Sequence, residues 1–197
     1  LAIERSVDKY HALCLLEEKG LPVPRTAVTE NQEEALQCFQ ELGGDVIIKP
    51  VFGSRGIGST RVSDPEIATR IFRALSFYHT VLYLQEFVPH GFSDIRAFVV
   101  GEHIVAAMQR IAKTWKTNVS LGAKPVSLKI DQELENLTVT AAKIIGCKVA
   151  GVDILESPKG PVIVELNSQP GWRGLQSVTK ANIADEIVKF ALSELKI

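Results

Sequence analysis

The chain has 197 residues, of which 46% are hydrophobic and 23% are charged, and its formal net charge is −1. These values are typical of a globular chain that buries a core, and they argue against wholesale disorder. A nearly neutral chain has no long-range field that favours nucleic acid or an anionic membrane, so we expect neither as a partner. No apolar stretch approaches the roughly 18 residues that span a bilayer, and residues 1–9 are too short and polar for a signal peptide.

The cysteine content indicates a reducing compartment. Cys14, Cys38 and Cys147 are odd in number and widely spaced, and no C-x-x-C pair occurs. This distribution argues against a disulfide framework and against a structural zinc site. We therefore expect a cytoplasmic protein.

The predicted secondary structure alternates helices with short strands. In chain order, the predicted elements are helices at about 8–19 and 32–42, strands at 46–49 and 60–62, a helix from 65 with Asp64 as its N-cap, a strand at 81–88, a hairpin of 95–100 and 103–110 around a Gly101-Glu102 turn, a helix at 132–145, a hairpin of 151–156 and 162–167, and a helix at 183–195.

The domain boundary is predicted at the proline and glycine residues of 89–93, which divide the chain into lobes of residues 1–89 and 90–197. Residues 112–124 show little periodicity and are expected to form a mobile loop. Paired hairpins and helices predict an α+β fold rather than a doubly wound sheet.

A glycine-rich loop, residues 50–58, joins two predicted strands. Glycines let the backbone approach a phosphate closely, with successive N–H groups pointing at its oxygens. The loop lacks the Gly-Lys-Ser/Thr of a P-loop, and the next helix, at Pro65, comes too late for a dinucleotide fingerprint. Lys49 ends the preceding strand and is well placed to meet phosphate charge. Taken alone, the segment fits an ordinary hairpin turn equally well.

Three oxygen-bearing side chains are predicted to converge on the last hairpin. Glu165 and Asn167 are two residues apart on one strand, so their side chains share a face, and Ile163 should lie on that face too. If the turn takes residues 157–161, residue 156 pairs with residue 162, and Asp153 lies opposite Glu165.

Carboxylates that face each other across two strands destabilise a sheet unless something neutralises them. A hard cation does so, and Mg²⁺ suits one or two carboxylates together with substrate phosphates. Mn²⁺ fits the same donors, and two ions could share Glu165. The alternative is a half-exposed sheet whose solvent face happens to be acidic.

Four stretches follow one another in a recognisable order. They are Ile48-Lys49-Pro50 with Gly53 to Gly58, Leu84-Gln85-Glu86-Phe87-Val88, Ser93-Asp94-Ile95-Arg96, and Gly151 to Leu155 with Val164 to Gly171. Together they resemble the ATP-grasp superfamily, and within it the RimK-like ligases, which add glutamate to a carboxylate. The resemblance covers the chain from Arg5 to the last helix and implies two α+β lobes that clasp nucleotide between antiparallel sheets. Such proteins usually carry a further N-terminal domain, so a chain that begins with Leu1 is expected to be a fragment.

The resemblance also implies roles for individual residues. It assigns ATP binding to Lys9, Lys49, the flap residues Gly53, Ser54, Gly56, Ile57 and Gly58, the adenine hinge Gln85, Glu86 and Phe87, the ribose acid Asp94, and the phosphate-side residues Lys116 and Asn118. It assigns Mg²⁺ to Asp153, Glu165 and Asn167, and catalytic charge stabilisation to Arg110 and Lys49. Arg96 and Arg173 are candidates for holding a substrate carboxylate. Solvated surface charge is the alternative for Lys9, Lys116, Glu86 and Asp94, and core packing is the alternative for Phe87.

Two segments depart from the family pattern. Lys116-Thr117-Asn118 stands where Arg-Ser-Asn is expected, and lysine lacks the fork that suits a phosphate. Trp172-Arg173-Gly174 stands where an acidic segment is common, near the expected acceptor. This second difference favours an aromatic or anionic acceptor, such as a pterin-type cofactor precursor.

The implied activity is an ATP-dependent carboxylate–amine ligase that works through an acylphosphate. Its partners would be glutamate or a similar amino acid and a carboxylate on a protein C-terminus or a cofactor precursor, and a homo-oligomer is compatible with the sequence. Two alternatives stay open: a non-catalytic ATP-binding regulatory module, similar to synapsin, and an ATP-grasp phosphotransferase. Formation of ADP that depends on an added amine separates the ligase from both.

Overall fold

The computed structural model describes residues 1–51, 53 and 56–195. They form two compact units. The larger unit contains residues 1–23 and the described residues from 90 onward, and the smaller unit contains residues 24–89.

The described residues form, in chain order, α1 (Ala2–Val7), α2 (Lys9–Glu18), β1 (Thr26–Thr29), α3 (Gln32–Glu41), β2 (Val46–Lys49), β3 (Thr60–Val62), α4 (Pro65–Phe77), β4 (Leu82–Glu86), β5 (Ser93–Val100), β6 (His103–Ile111), a 3₁₀ helix (Val119–Leu121), β7 (Lys124–Ser127), α5 (Gln132–Ile145), β8 (Val149–Ser157), β9 (Gly160–Asn167), α6 (Arg173–Gln176) and α7 (Ile183–Glu194).

Local signals in the sequence explain several of these boundaries. Asp64 accepts hydrogen bonds from the N–H groups of Glu66 and Ile67, as the predicted N-cap of α4 should. Gly146 ends α5 with φ at 89°, and Gly101 adopts φ 63°, the positive value that the predicted turn requires. The predicted strand at 81–88 is shorter in the structure, and α1, β1, β7, α6 and the 3₁₀ helix were not predicted.

The smaller unit is an antiparallel sheet in the order β1-β4-β2-β3, with α3 and α4 on one face. The alternating side chains of the strands explain this packing, since Val46, Ile48 and Leu84 point into a core with Phe39 and Phe72 from the helices. Each large apolar side chain buried in this way contributes about 1.5–3 kcal/mol. The next residues along the strands, Lys49 and Gln85 among them, therefore lie on the opposite face.

The larger unit is an antiparallel sheet in the order β7-β6-β5-β8-β9. One face packs against α2 and α5, where Leu13 and Leu16 meet strand residues such as Val152 and Ile163. Residues 1–23 were expected in the first lobe. They belong to the larger unit instead, because the apolar face of α2 completes this core.

The second face of the larger sheet is divided along its strands. At one end Phe98 and Met108 form an apolar cluster with residues of α6 and α7. At the other end the same face carries a group of polar side chains: Asp94, Arg96, Arg110, Asp153, Glu165 and Asn167.

In the described part of the chain, no helix combines the length and the apolar character that crossing a membrane demands.

Candidate functional site

The β8–β9 hairpin sets the register of the predicted metal ligands. Asp153 lies opposite Glu165 and Gly151 lies opposite Asn167, so the carboxyl and amide groups share a sheet face as predicted. The register arises differently from the prediction, because the turn is shorter and residue 156 pairs with Pro161 rather than with residue 162.

A β-bulge compensates for the shorter turn. Asp153 pairs with Glu165, yet Ile154 pairs with Ile163, which leaves Val164 as the extra residue. Ile163 was expected on the acidic face, but the bulge turns it into the apolar core. The bulge thus presents Glu165 on the polar face while the rest of β9 keeps its apolar contacts.

Two arginines on neighbouring strands hold Asp153. The guanidinium of Arg96 donates from Nε and Nη2 to the two carboxylate oxygens, at 2.7 and 2.6 Å. The Nη2 atom of Arg110 lies 3.1 Å from Oδ1 of the same carboxylate. This arrangement follows from the topology, since β5 lies between β6 and β8 and places Arg96 directly opposite Asp153.

Arg110 is fixed in turn by Asp94. Its Nε and Nη2 donate to the two oxygens of Asp94 at 2.6 and 2.5 Å, and both side chains are buried. Thr117 adds a hydroxyl that donates to Oδ2 of Asp94 at 2.6 Å. Asp94 was predicted to bind ribose. In the structure its carboxylate is instead satisfied by the chain's own side chains.

The surrounding charges shift the pKa values of these groups in opposite directions. Burial alone would raise the pKa of Asp153, but Arg110 and Arg96 outweigh it and hold the pKa below its usual value. For Asp94, burial wins over the hydrogen bonds from Arg110 and Thr117, and the pKa is raised. Asp153 is therefore the more firmly ionised carboxylate.

Lys9 completes the charge balance of the polar face. Its Nζ lies 3.8 Å from Oε1 of Glu165, and the Glu165 side chain is 31% exposed. Three carboxylates (Asp94, Asp153 and Glu165) thus meet three cationic groups (Arg96, Arg110 and Lys9). A metal was predicted to neutralise the opposed carboxylates, but Arg96 faces Asp153 and already balances part of this charge.

The donor set of the hairpin nevertheless fits a hard cation. Glu165 and Asn167 are only partly buried and supply carboxylate and amide oxygens, the ligands that Mg²⁺ takes. Asp153 lies on the same face, with its oxygens in hydrogen bonds to guanidinium groups. Among the described residues, no group of three or more His, Cys, Asp or Glu side chains could hold a metal. A cation here would therefore depend on the amide oxygen of Asn167 or on substrate oxygens.

The segment after β6 is tied down at its centre. It was predicted as a mobile loop over residues 112–124, yet it contains the 3₁₀ helix and leads into β7. Thr117 is buried and bonded to Asp94, while Lys116 is half-buried with its Nζ 5.1 Å from the Trp115 ring centroid. The carbonyl of Asn118 accepts from the N–H groups of residues 121 and 123. Thr117 was not among the predicted site residues.

The segment after β9 lies over the same sheet face. A Cβ atom on Gly151 would come within 2.7 Å of Cβ of Pro170, so only glycine permits this approach. The Trp172 ring meets Phe98 edge-on at 5.9 Å and is partly exposed. Arg173 is exposed at the start of α6. Both residues are thus exposed, and they follow Pro170, which lies against the strand residue opposite Asn167.

In the smaller unit, Lys49 and Gln85 lie on neighbouring strands. Lys49 Nζ donates to Oε1 of Gln85 at 2.6 Å, and Nε2 of Gln85 donates to the Thr26 hydroxyl at 3.0 Å. Gln85 is buried, and its amide is therefore held in one orientation. Glu86, the next predicted hinge residue, accepts from the backbone N–H and Nε of Arg25.

Phe87 and the flap complete the predicted nucleotide residues of this unit. Arg61 stacks on the Phe87 ring, with 3.4 Å between its Cζ atom and the ring centroid. In the flap, Gly56 and Gly58 have φ of 70° and 78°, values that glycine adopts without strain.

Gly53 of the flap lies close to Pro50, since a Cβ atom on Gly53 would come within 3.1 Å of the proline ring. Ile57 is 71% exposed. Ser54 lies outside the described residues.

Comparison with known proteins identifies the class of the fold. A solved structure of the ATP-grasp ligase PsnB, complexed with a phosphomimetic variant of its minimal precursor, Mg and ADP, superposes with a TM-score of 0.79 and 25% identity over 98% of this chain and 61% of that one. The D-alanine–D-alanine ligase of Bacillus anthracis matches with a TM-score of 0.75 over 98% of this chain and 70% of that one, and at 15% identity it supports the fold alone. The predicted α+β ATP-grasp fold is confirmed.

The RimK-like ATP-grasp domain matches residues 6–191, and the chain belongs to this family, as the resemblance implied. A probable α-L-glutamate ligase of Legionella pneumophila (strain Corby) is 36% identical over 200 residues, covering 100% of the chain. The tetrahydromethanopterin:α-L-glutamate ligase of Methanocaldococcus jannaschii is 37% identical over 201 residues, covering 98% of this chain and 69% of that protein. The chain spans 66% of the length of the Legionella relative.

Proposed function

We propose that the chain is the ATP-binding and catalytic portion of an ATP-dependent carboxylate–amine ligase. The observation that carries the proposal is the face of the larger sheet on which Asp153, Glu165 and Asn167 lie beside the buried arginines of β5 and β6. The similarity to α-L-glutamate ligases supports glutamate, or a similar amino acid, as the amine. Three free cysteines fit the reducing cytoplasm.

The proposed reaction has two steps. A substrate carboxylate attacks the γ-phosphate of ATP, which releases ADP and leaves an acylphosphate. The amine then attacks the acyl carbon and expels phosphate, so that an amide bond forms. Such chemistry needs positioning and charge stabilisation more than covalent help from the protein.

The side chains of the larger unit have distinct roles in this scheme. Glu165 and Asn167, with Asp153, would hold Mg²⁺, which we propose as two ions, and the metal would neutralise phosphate charge. Arg110, which donates to Asp94, is assigned to stabilising the negative charge that grows on the transferred group. Lys9 forms an ion pair with Glu165. Lys116 and Asn118 are assigned to binding the phosphates.

In the smaller unit, Lys49 is assigned to binding the α and β phosphates, and the flap glycines are assigned to covering them. The hinge residues 85–87 are assigned to binding adenine. The acceptor is proposed to carry its carboxylate on an aromatic or anionic molecule. This assignment is supported by the exposed Trp172 and Arg173 and by the pterin acceptor in the name of a relative.

The decisive experiment measures ADP formation with Mg-ATP and L-glutamate, with and without an acceptor, and identifies products by mass spectrometry. The acceptors are tetrahydromethanopterin and a peptide that ends in glutamate. We expect ADP formation that requires both substrates, together with an amide product. A phosphorylated product without amide, or nucleotide binding without turnover, would contradict the ligase and favour the phosphotransferase or the regulatory module.

A substitution at the proposed metal site sharpens the test. Glu165→Gln keeps the shape of a half-exposed side chain but weakens a metal ligand, so turnover should fall by about 100-fold or more. The matched control is Glu102→Gln, which changes an exposed carboxylate of the same unit that pairs with Lys143. Near-normal turnover by the Glu165 variant would remove the proposed site.

A further inference from the structure

The segment that follows β6 is joined to residues 90–94 by three hydrogen bonds. The N–H of Ala112 donates to the carbonyl of Phe92 at 2.9 Å, and Nε2 of His90 lies 3.0 Å from the carbonyl oxygen of Trp115. The third contact is the hydroxyl of Thr117 on Asp94. Three residues of the 90–94 segment thus bind three residues of 112–117.

The first part of this attachment is a tight turn with unusual backbone geometry. The N–H of Ser93 donates to the carbonyl of His90 at 3.1 Å, and both central residues have positive φ, 58° at Gly91 and 61° at Phe92. A bulky residue with such a φ is strained and persists only where its surroundings fix it. The turn is therefore a defined feature that positions Asp94 at the beginning of β5.

The third contact differs from the other two because it joins side chains that lead to Arg110. Thr117, Asp94 and Arg110 are 7%, 4% and 4% exposed, so water has little access to this chain of hydrogen bonds. One carboxylate oxygen of Asp94, Oδ2, accepts from the hydroxyl of Thr117 and also from Nη2 of Arg110. The same Nη2 atom lies near Asp153. The Oδ2 atom of Asp94 thus joins the hydroxyl of Thr117 to the guanidinium of Arg110.

We propose that Thr117 is a positioning residue: its hydroxyl orients Asp94, and Asp94 holds the Arg110 fork beside Asp153. The requirement is for a short side chain with a hydroxyl donor, which serine meets and valine does not. Because Lys116 and Asn118 flank Thr117, the same bond links the placement of these two residues to the orientation of Arg110. Its consequence for turnover rests on the proposed function, but the hydrogen-bond chain itself does not.

The first test reads Arg110 directly and needs no substrate. Hydrogen-exchange NMR follows the Nε–H signal of Arg110 in the wild-type protein and its variants. This signal is assigned because it is lost in Arg110→Lys. We expect Thr117→Val to accelerate exchange about tenfold or more, because a charge-assisted bond in the chain is lost, and Thr117→Ser to stay close to wild type. Thr138→Val is the matched control, since it removes another buried hydroxyl of the same unit, one bonded to Leu134. Unchanged exchange in Thr117→Val overturns the proposal.

The second test separates positioning from nucleotide contact. In the ligase assay, Thr117→Val should lower kcat about tenfold with little change in the KM for ATP, and Thr117→Ser should recover most of the loss. Asp94→Asn combined with Thr117→Val should be no slower than Asp94→Asn alone, since both act on Arg110. A raised KM with unchanged kcat, or additive losses, would mean that Thr117 acts independently of Asp94. If the wild type shows no turnover, the proposed function fails, while the exchange experiment still decides the role of Thr117.

Discussion

Replacing Arg110 by methionine tests whether the polar face is held together by its buried charges. Methionine keeps much of the side-chain volume but removes the guanidinium that binds Asp94 through two hydrogen bonds and approaches Asp153. Asp94 would then keep only Thr117 among its hydrogen-bond partners described above, whereas Asp153 would keep the Arg96 fork. The loss therefore falls mainly on Asp94.

The expected cost follows from burial. Breaking a buried ion pair by removing one partner costs about 3–5 kcal/mol. The exposed Lys143–Glu102 pair is the control, and Lys143→Met should cost about 0–1 kcal/mol. With a urea slope of about 2 kcal/mol per M, the Arg110 variant should unfold at a urea midpoint about 2 M lower.

Tryptophan fluorescence is a suitable assay because both tryptophans, Trp115 and Trp172, belong to the larger unit. The pH dependence supplies a second criterion. Arg110 lowers the pKa of both Asp94 and Asp153, so its removal raises both folded-state pKa values. A carboxyl whose folded pKa exceeds its unfolded value binds a proton on folding, and its penalty at neutral pH disappears as the pH falls. The stability difference between wild type and variant should therefore shrink as the pH falls from neutral through the folded-state pKa of Asp94. A loss below 1 kcal/mol that does not vary with pH would refute the reasoning.

Three further outcomes are expected. Gly151→Ala should destabilise the larger unit by about 1–3 kcal/mol in the same urea assay, because the new Cβ meets Pro170. Gly171 has open space around it, so the control Gly171→Ala should change stability by less than about 0.5 kcal/mol. Equal effects of the two substitutions would show that the Pro170 contact is unimportant. Asp64→Ala should cost about 1 kcal/mol and speed amide hydrogen exchange in the first turn of α4, and unchanged exchange would contradict the capping role. Burial raises the pKa of Cys147, so this thiol should react with iodoacetamide more slowly than free cysteine at pH 8, and matching rates would count against its burial.

The sequence predicted elements with strong local signals and missed those that depend on distant partners. The cap at Asp64 and the positive φ at Gly101 are local requirements, and both appear in the structure. The strand β7 escaped prediction because Pro125 weakens a strand signal, and it lies at the sheet edge, where proline is tolerated. The strand β1 has only four residues, although its two threonines and Val28 are typical of strands.

The candidate site shows the same limit. The opposition of Asp153 and Glu165 was predicted correctly from a turn that is wrong in length, since the bulge at Val164 corrects the register. No local pattern predicts such a bulge or the pairing of β5 with β8. The contacts of Arg96 and Arg110 with Asp153 therefore could not be read from the sequence, although each residue was selected as a candidate for other reasons.

The division of the chain has a consequence for its synthesis on the ribosome. The smaller unit is inserted in the sequence of the larger one. The first and last residues of the smaller unit lie close together, since the N–H of Glu86 donates to the carbonyl of Arg25 at 2.9 Å. Helix α2 is translated before the smaller unit, yet its apolar residues pack against β9, which is translated after that unit. When the smaller unit folds as it emerges, it brings residues 23 and 90 close together and shortens the loop that the nascent chain must close. An early-folding insert would thus reduce the entropic cost of uniting the two parts of the larger unit that flank it.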